Sequence, residues 1–373
     1  MRLRRRTRTA IGFVLLTVSL TGGASIGYSK RGWDSGSVRT CWTSDLRRFS
    51  KEVSSVYLYA TRAGLPTAEQ SEEIRKWVDA AYNRSRVGVE MTGFSVCDEN
   101  SPVDALLVYD ADLSATDPDP KAVGKSRGVA SPGDFSVSGS WMNRLTSIAT
   151  QKKIESGLGL NWSGTTADIR EIQSQMKKAL TYRLPPGKRN RKDLVEIYAA
   201  FANGVEDDIR HWTVLHEFGH LSGLLHEERR KETANEQPGF CGAGAGDRML
   251  EGTAANTEST FGTAFDPFSV MNYCRKNMQI LYHKAVLVCA IGEDLRDGFS
   301  YLGENPASLD PLLKECDFIR QTPFPVDLTP RDVAGLRNLY LGETPTGVAR
   351  DFRESDVEKK WLEIFLWTDR LHF

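Results

Sequence analysis

Three of the six histidines of this chain lie within one eleven-residue window. The window has the spacing H-E-x-x-H-x-x-G-x-x-H, and its defined positions are His216, Glu217, His220, Gly223 and His226. Two histidines four residues apart lie on the same face of an α-helix, so their imidazoles converge on one point. The spacing therefore predicts a helix that ends near Gly223 and a turn that returns the third imidazole to that point.

Three imidazole nitrogens with one open position form the ligand set of a catalytic zinc site, whereas structural zinc sites are closed by four ligands. We therefore expect one Zn²⁺ per chain, held by His216, His220 and His226, because the sequence contains no second convergent set of His or Cys. Glu217 is not needed as a ligand. We expect it to act as the general base toward water that the metal acidifies.

A second segment, Ser-Val-Met-Asn-Tyr at residues 269–273, follows downstream. Together with the histidine window it resembles the Met-turn region of the metzincin zinc endopeptidases. Glu227, directly after the third histidine, and Tyr273, two residues after Met271, make the chain most similar to the astacin-like peptidases. The resemblance implies that Met271 lies beneath the metal, that Gly223 and Glu227 give structural support, and that Tyr273 ligates zinc or holds the developing oxyanion.

The same resemblance implies an α+β fold, namely a metzincin-like two-lobed catalytic domain with a mixed sheet, a zinc-binding helix and a C-terminal helix. We assign this domain to residues 35–345 and a C-terminal helical tail to residues 346–373. The implied activity is peptide-bond hydrolysis in a protein or peptide substrate. The alternative is a catalytically silent peptide-binding or protein-binding protein that retains the fold, and the sequence leaves the oligomeric state open.

Residues 1–24 have the order of a signal peptide: five arginines and no acid, an apolar run from Ala10 to Leu20, then small residues. The apolar run is shorter than the roughly 20 residues of a spanning helix. We therefore expect cleavage near Ala24, no stable membrane insertion and a secreted protein (periplasmic in a bacterium), with an N-terminal membrane anchor as the alternative. The remaining chain is mildly acidic without a clustered basic face, which excludes nucleic acid as a partner.

All six cysteines follow the predicted signal peptide, and none forms a C-x-x-C pair. Export to an oxidising compartment permits disulfides, and the absence of C-x-x-C pairs in the sequence argues against cysteine-ligated zinc. Six cysteines allow many connectivities, and our first choice is sequential pairing, with Cys41 bonded to Cys97.

Local patterns predict several further elements. Thr67 and Gln70 have the spacing of a capping box, which begins an amphipathic helix. Apolar runs at 87–91 and 105–109 predict strands, and Thr329 predicts the start of a late helix. Acidic residues at 110–119 could ligate calcium through oxygen, although a solvated polar loop is the favoured interpretation because the spacing is not that of an EF-hand.

Two expectations concern the surroundings of the histidine window. Asn203 and Gly204 predict the end of one helix, and Asp207 or Asp208 the start of the zinc-binding helix. By the resemblance, residues 274–283 wall the pocket for the residue after the scissile bond. Either Arg275 and Lys276 favour an acidic substrate residue there, or the apolar residues of this segment line the pocket.

Overall fold

The computed structural model describes residues 33, 36–44, 64–98, 104–109, 124–127, 156–160, 162–224, 226–227, 239–241, 263–346 and 355–371. The predicted signal peptide and the acidic segment 110–119 lie outside the described residues. Helices and strands are combined in the described part, and helices predominate, which agrees with an α+β class in general.

Five strands form one mixed sheet: β1 (Ser37–Trp42), β2 (Glu90–Val96), β3 (Ala105–Tyr109), β4 (Gly124–Arg127) and β5 (Ser156–Leu160). The strand order is β2-β1-β3-β5-β4. Strands β2, β1, β3 and β5 run parallel to one another. Strand β4 lies at the edge of the sheet and pairs antiparallel with β5. The strand predicted at 105–109 is confirmed, whereas the one predicted at 87–91 begins only at Glu90 and extends to Val96.

Eight α-helices lie in the described residues: α1 (Ala68–Val78), α2 (Trp162–Arg183), α3 (Lys192–Leu221), α4 (Cys274–Leu302), α5 (Asp310–Leu313), α6 (Cys316–Gln321), α7 (Pro330–Leu341) and α8 (Asp356–Arg370). Thr67 begins α1 with the predicted capping box, in which its hydroxyl accepts from the Gln70 backbone and its own N–H donates to the Gln70 side chain. Thr329 begins α7 with the same reciprocal bonds to Asp332. Both starts were predictable because a capping box involves residues only three apart.

Helix α3, which carries the histidine window, is a single element of 30 residues, so the predicted break at Asn203 and Gly204 is wrong. Gly204 faces α4, and a Cβ atom there would lie 2.7 Å from Cε1 of His283. His283 in turn places its Nε2 atom 2.7 Å from Oδ2 of Asp208, one turn further along α3. Packing between the two helices thus offsets the cost of about 1 kcal/mol that a glycine imposes on a helix interior.

A β-bulge in β2 brings one aromatic ring onto α3. The pairing of β1 with β2 shifts after Thr40, opposite Gly93, whose φ is +100°. A side chain at Gly93 would collide with the Thr40 carbonyl, because the Cβ atom would lie 2.0 Å from its oxygen. The following residue, Phe94, stacks on Phe218 of α3 with ring centroids 5.8 Å apart. The bulge therefore helps to seat α3 against the sheet.

Three disulfides join Cys41 to Cys97, Cys241 to Cys274 and Cys289 to Cys316. The predicted sequential pairing is thereby confirmed. Such bonds persist in oxidising, extracellular-type environments. None of the helices in the described residues is long and apolar enough to cross a membrane.

The C-terminal helix α8 packs against α4 through a buried apolar face. Trp361 contacts Tyr282 of α4, with ring centroids 5.5 Å apart, and Phe365 contacts Phe324 at 5.2 Å. Helix α8 thus docks on its own chain.

Candidate metal centre

The three histidines of the window converge on one point. Nε2 of His226 lies 3.1 Å from Nε2 of His216 and 2.8 Å from Nε2 of His220. Three nitrogens bound to zinc at about 2.1 Å in a tetrahedral arrangement are separated by roughly 3.4 Å. The donor type and the spacing therefore fit one ion of this size, and these residues could hold a metal ion.

The turn that returns His226 begins where α3 ends. Gly223 has a φ of +97°, a conformation that glycine adopts without steric cost. The carbonyl of Leu221 accepts a hydrogen bond of 2.8 Å from Nε1 of Trp33, and the carbonyl of Ser222 accepts one of 2.8 Å from the Tyr340 hydroxyl. Side chains from distant parts of the chain thus satisfy the last helical carbonyls and hold the turn.

Backbone carbonyls orient the imidazoles of His216 and His220. Nδ1 of His216 lies 2.8 Å from the carbonyl oxygen of Val270, and Nδ1 of His220 lies 3.0 Å from that of Leu224. Because a carbonyl can only accept, each Nδ1 carries the proton and each Nε2 presents its lone pair to the site. Burial, with a smaller contribution from His220, lowers the pKa of His216 to about 3, so this ligand is neutral at pH 7.

The segment around Met271 lies directly against α3 at the ligands. A Cβ atom at Gly219 would lie 2.4 Å from Sδ of Met271, so the glycine makes room for this side chain next to His220. The carbonyl of Val270 accepts a second hydrogen bond, of 3.0 Å, from Nε1 of Trp212. The methionine is therefore packed under the same helical turns that carry the histidines.

Tyr273 packs against the histidines, and Glu217 directly follows His216 in the sequence. The Tyr273 ring centroid lies 4.6 Å from that of His226 and 5.3 Å from that of His216. Glu217 follows His216 on α3 and is buried. A phenol ring thus lies against two of the imidazoles, and a buried residue with a carboxylate follows His216 on the same helix.

Glu227 ties the chain after the third histidine to the Met271 segment. Its backbone N–H donates to the carbonyl of Met271 at 3.2 Å, and its Oε2 atom accepts from the backbone N–H of Asp266 at 3.1 Å. These two bonds hold the residue next to His226, which is a supporting role.

The carboxylate of Asp332 is a second group that supports the Met271 segment, and the histidine motif gave no indication of it. Its Oδ2 atom accepts from the backbone N–H groups of Thr329 and Val270, each at 3.1 Å, and its Oδ1 atom accepts from the Ser269 hydroxyl at 2.5 Å. Burial, with a smaller effect of the Asp266 carboxylate, raises the pKa of Asp332. The sequence predicted a helix start at Thr329, but no local signal connected Asp332 to Val270.

The alternative in which Arg275 presents charge to a substrate residue is wrong, because this side chain is buried within the fold. The side chain is fully buried at the start of α4. Its guanidinium donates to the carbonyls of Pro325 at 2.6 Å and Asp327 at 3.1 Å, and also to that of Phe268. Three backbone carbonyls therefore accept hydrogen bonds from a charge that the resemblance had placed at a pocket wall.

No family model, curated protein or solved structure matches this chain. Within the described residues, the three histidines are the group of His, Cys, Asp and Glu side chains arranged to hold a metal ion. A candidate function therefore rests on the residues and geometry of this site.

Proposed function

We propose that the chain is a secreted, zinc-dependent metalloendopeptidase similar to the metzincins, and among them to the astacin-like peptidases. The observation that carries the proposal is the convergence of three Nε2 atoms from His216, His220 and His226, and a buried glutamate, Glu217, directly follows the first of them in the sequence. Imidazole ligands suit zinc, and three of them leave a coordination position open for chemistry. The three disulfides support export to an oxidising environment.

When bound, zinc supplies a Lewis acid that polarises the peptide carbonyl and acidifies water. Glu217 accepts the proton of the attacking water and passes it to the leaving amine, which lets one carboxylate serve as base and then as acid. The Tyr273 hydroxyl donates a hydrogen bond to the carbonyl oxygen as negative charge develops on it. Burial excludes water around Glu217, which strengthens each of these electrostatic interactions.

The remaining site residues keep the ligands in place. Gly223 permits the turn toward His226, Met271 packs under the ligand-bearing turns, and Glu227 holds the chain after the third histidine. Ligands held by such contacts lose less conformational freedom when the metal and the substrate bind.

The decisive experiment compares wild type with Glu217→Gln. Gln has the same size but cannot accept the proton, so we expect full zinc content and a loss of activity on casein of about a hundredfold or more. Glu196→Gln is the matched control, because it makes the same change at an exposed position of α3. Near-normal turnover by Glu217→Gln would exclude this mechanism, and a zinc-loaded wild type that digests no protein or peptide would favour the silent binding protein.

A further inference from the structure

One buried guanidinium joins the C-terminal helix to the segment that supports the metal site. Arg331 lies in the first turn of α7 and its side chain is 4% exposed. Its Nη1 atom lies 3.3 Å from Oδ1 of Asp266 and 3.4 Å from Oε1 of Glu358. Asp266 precedes the Met271 segment, and Glu358 lies in the first turn of α8. A single charge is therefore shared between two carboxylates that belong to different parts of the fold.

On one side, Asp266 leads to the third histidine. Its Oδ1 atom also accepts from the backbone N–H of Phe268 at 2.9 Å, and its Oδ2 atom accepts from the Thr329 hydroxyl at 2.6 Å. Its own backbone N–H donates to Oε2 of Glu227, the residue directly after His226. A shift of the Asp266 carboxylate would therefore alter the hydrogen bonds that hold Glu227.

On the other side, Glu358 leads to the start of α8. Its Oε2 atom accepts from the backbone N–H of Ser355 at 2.7 Å in a capping box, which leaves Oε1 to face Arg331. The Glu358 side chain is 20% exposed, whereas that of Asp266 is 1% exposed. Charged groups that are shielded from water interact strongly with one another. The position of the Arg331 guanidinium therefore depends on the carboxylates of both Asp266 and Glu358.

We propose that Arg331 is a positioning residue of the metal centre, through which the docking of α8 is transmitted to the third ligand by way of Asp266 and Glu227. This inference rests on the proposed metal site but not on the reaction performed there. It implies that α8 and the histidine site act as one unit, although they are distant in sequence.

The test uses the full chain with Glu358→Gln. The amide oxygen of Gln can still accept from Ser355, so the substitution removes mainly the charge that faces Arg331. Lys360→Met is the matched control, because it breaks another ion pair of α8, the 2.7 Å contact with Glu315, and leaves Arg331 untouched. The measurements are the zinc Kd by chelator competition, the absorption spectrum of the Co²⁺-substituted protein, and the thermal unfolding of the metal-free protein.

We expect Glu358→Gln to weaken zinc binding about threefold to tenfold, the usual size of coupling through a packed network. We also expect Glu358→Gln to change the absorption spectrum of the Co²⁺-substituted protein. Lys360→Met should keep the wild-type zinc Kd and the wild-type spectrum, even if it lowers the Tm of the metal-free protein as much as Glu358→Gln does. Equal zinc affinities and spectra in the two variants would show that the ion pair only stabilises the fold, and would overturn the proposal.

A second variant separates transmission through Arg331 from an independent effect. If Arg331 is the link, Arg331→Met combined with Glu358→Gln binds zinc as Arg331→Met alone does, because the second change no longer has a route to the site. Additive losses would overturn the proposal. A wild type that binds no zinc would refute this inference and the proposed function together. A zinc-binding but inactive wild type would count against the proposed activity alone, and the Kd comparison would still decide the role of Arg331.

Discussion

Asp332→Ala tests the support of the metal site most directly, because one carboxylate both begins α7 and holds the Met271 segment. The substitution leaves the backbone N–H groups of Thr329 and Val270 buried without their acceptor. Each such donor costs about 1–3 kcal/mol, which gives a loss of about 2–6 kcal/mol in the free energy of unfolding. The change also removes a buried charge near Asp266, so we expect the lower half of that range. Such a loss is a large part of the total stability of a domain.

The same substitution should weaken metal binding, because the carbonyl of Val270 orients His216. Loss of a group that orients a ligand typically lowers metal affinity by about ten- to a hundredfold. Asp332→Asn is the matched control. Its amide oxygen can accept from both backbone N–H groups and its NH₂ group can donate to the Ser269 hydroxyl oxygen, so we expect most of the stability and affinity to be retained.

The assay combines urea unfolding of the metal-free proteins with zinc titration in the presence of a competing chelator. The reasoning would be refuted by an Asp332→Ala protein that unfolds within about 1 kcal/mol of wild type, below the cost of a single orphaned donor. An unchanged zinc Kd in a destabilised Asp332→Ala protein would show that Asp332 supports the fold but not the ligands.

Three further predictions concern the site and the docking of α8. Metal analysis should find one zinc per wild-type chain and none after His220→Ala, and zinc retained by that variant would contradict the ligand assignment. Tyr273→Phe should lower kcat with little change in KM, because in the proposed mechanism its hydroxyl acts on the developing oxyanion. An unchanged kcat would leave Tyr273 as a packing residue. Burial lowers the pKa of Lys284, whose ammonium donates to the carbonyl of Leu371, from 10.5 to about 8. The unfolded chain then binds more protons than the folded one between pH 8 and 10.5, so this residue makes stability rise with pH in that window. Urea unfolding of wild type and Lys284→Met across this range should show the rise only in wild type, and identical pH profiles would contradict it.

Features that depend on neighbouring residues in the chain were predictable from the amino-acid sequence. The spacing of His216, His220 and Gly223 was enough to predict a helix with a turn after it, because helical periodicity and the permissive backbone of glycine are local properties. Thr67 and Thr329 were enough to predict two helix starts for the same reason. The assignment to the metzincins stays a prediction, since it extends from these residues to a reaction.

The contacts between distant elements, by contrast, are known only from the fold. Helix α3 continues through Gly204 because His283 packs there, and Arg275 is buried because carbonyls from three other positions surround its guanidinium. Asp332 holds Val270 across 62 positions of sequence, and Arg331 reaches Glu358 across 27. Such contacts leave no periodic or capping pattern in the chain, because burial and charge pairing depend on which segments pack together rather than on their order. The three histidines that could hold a metal ion were therefore predictable from the sequence, while the network that holds them in place was not.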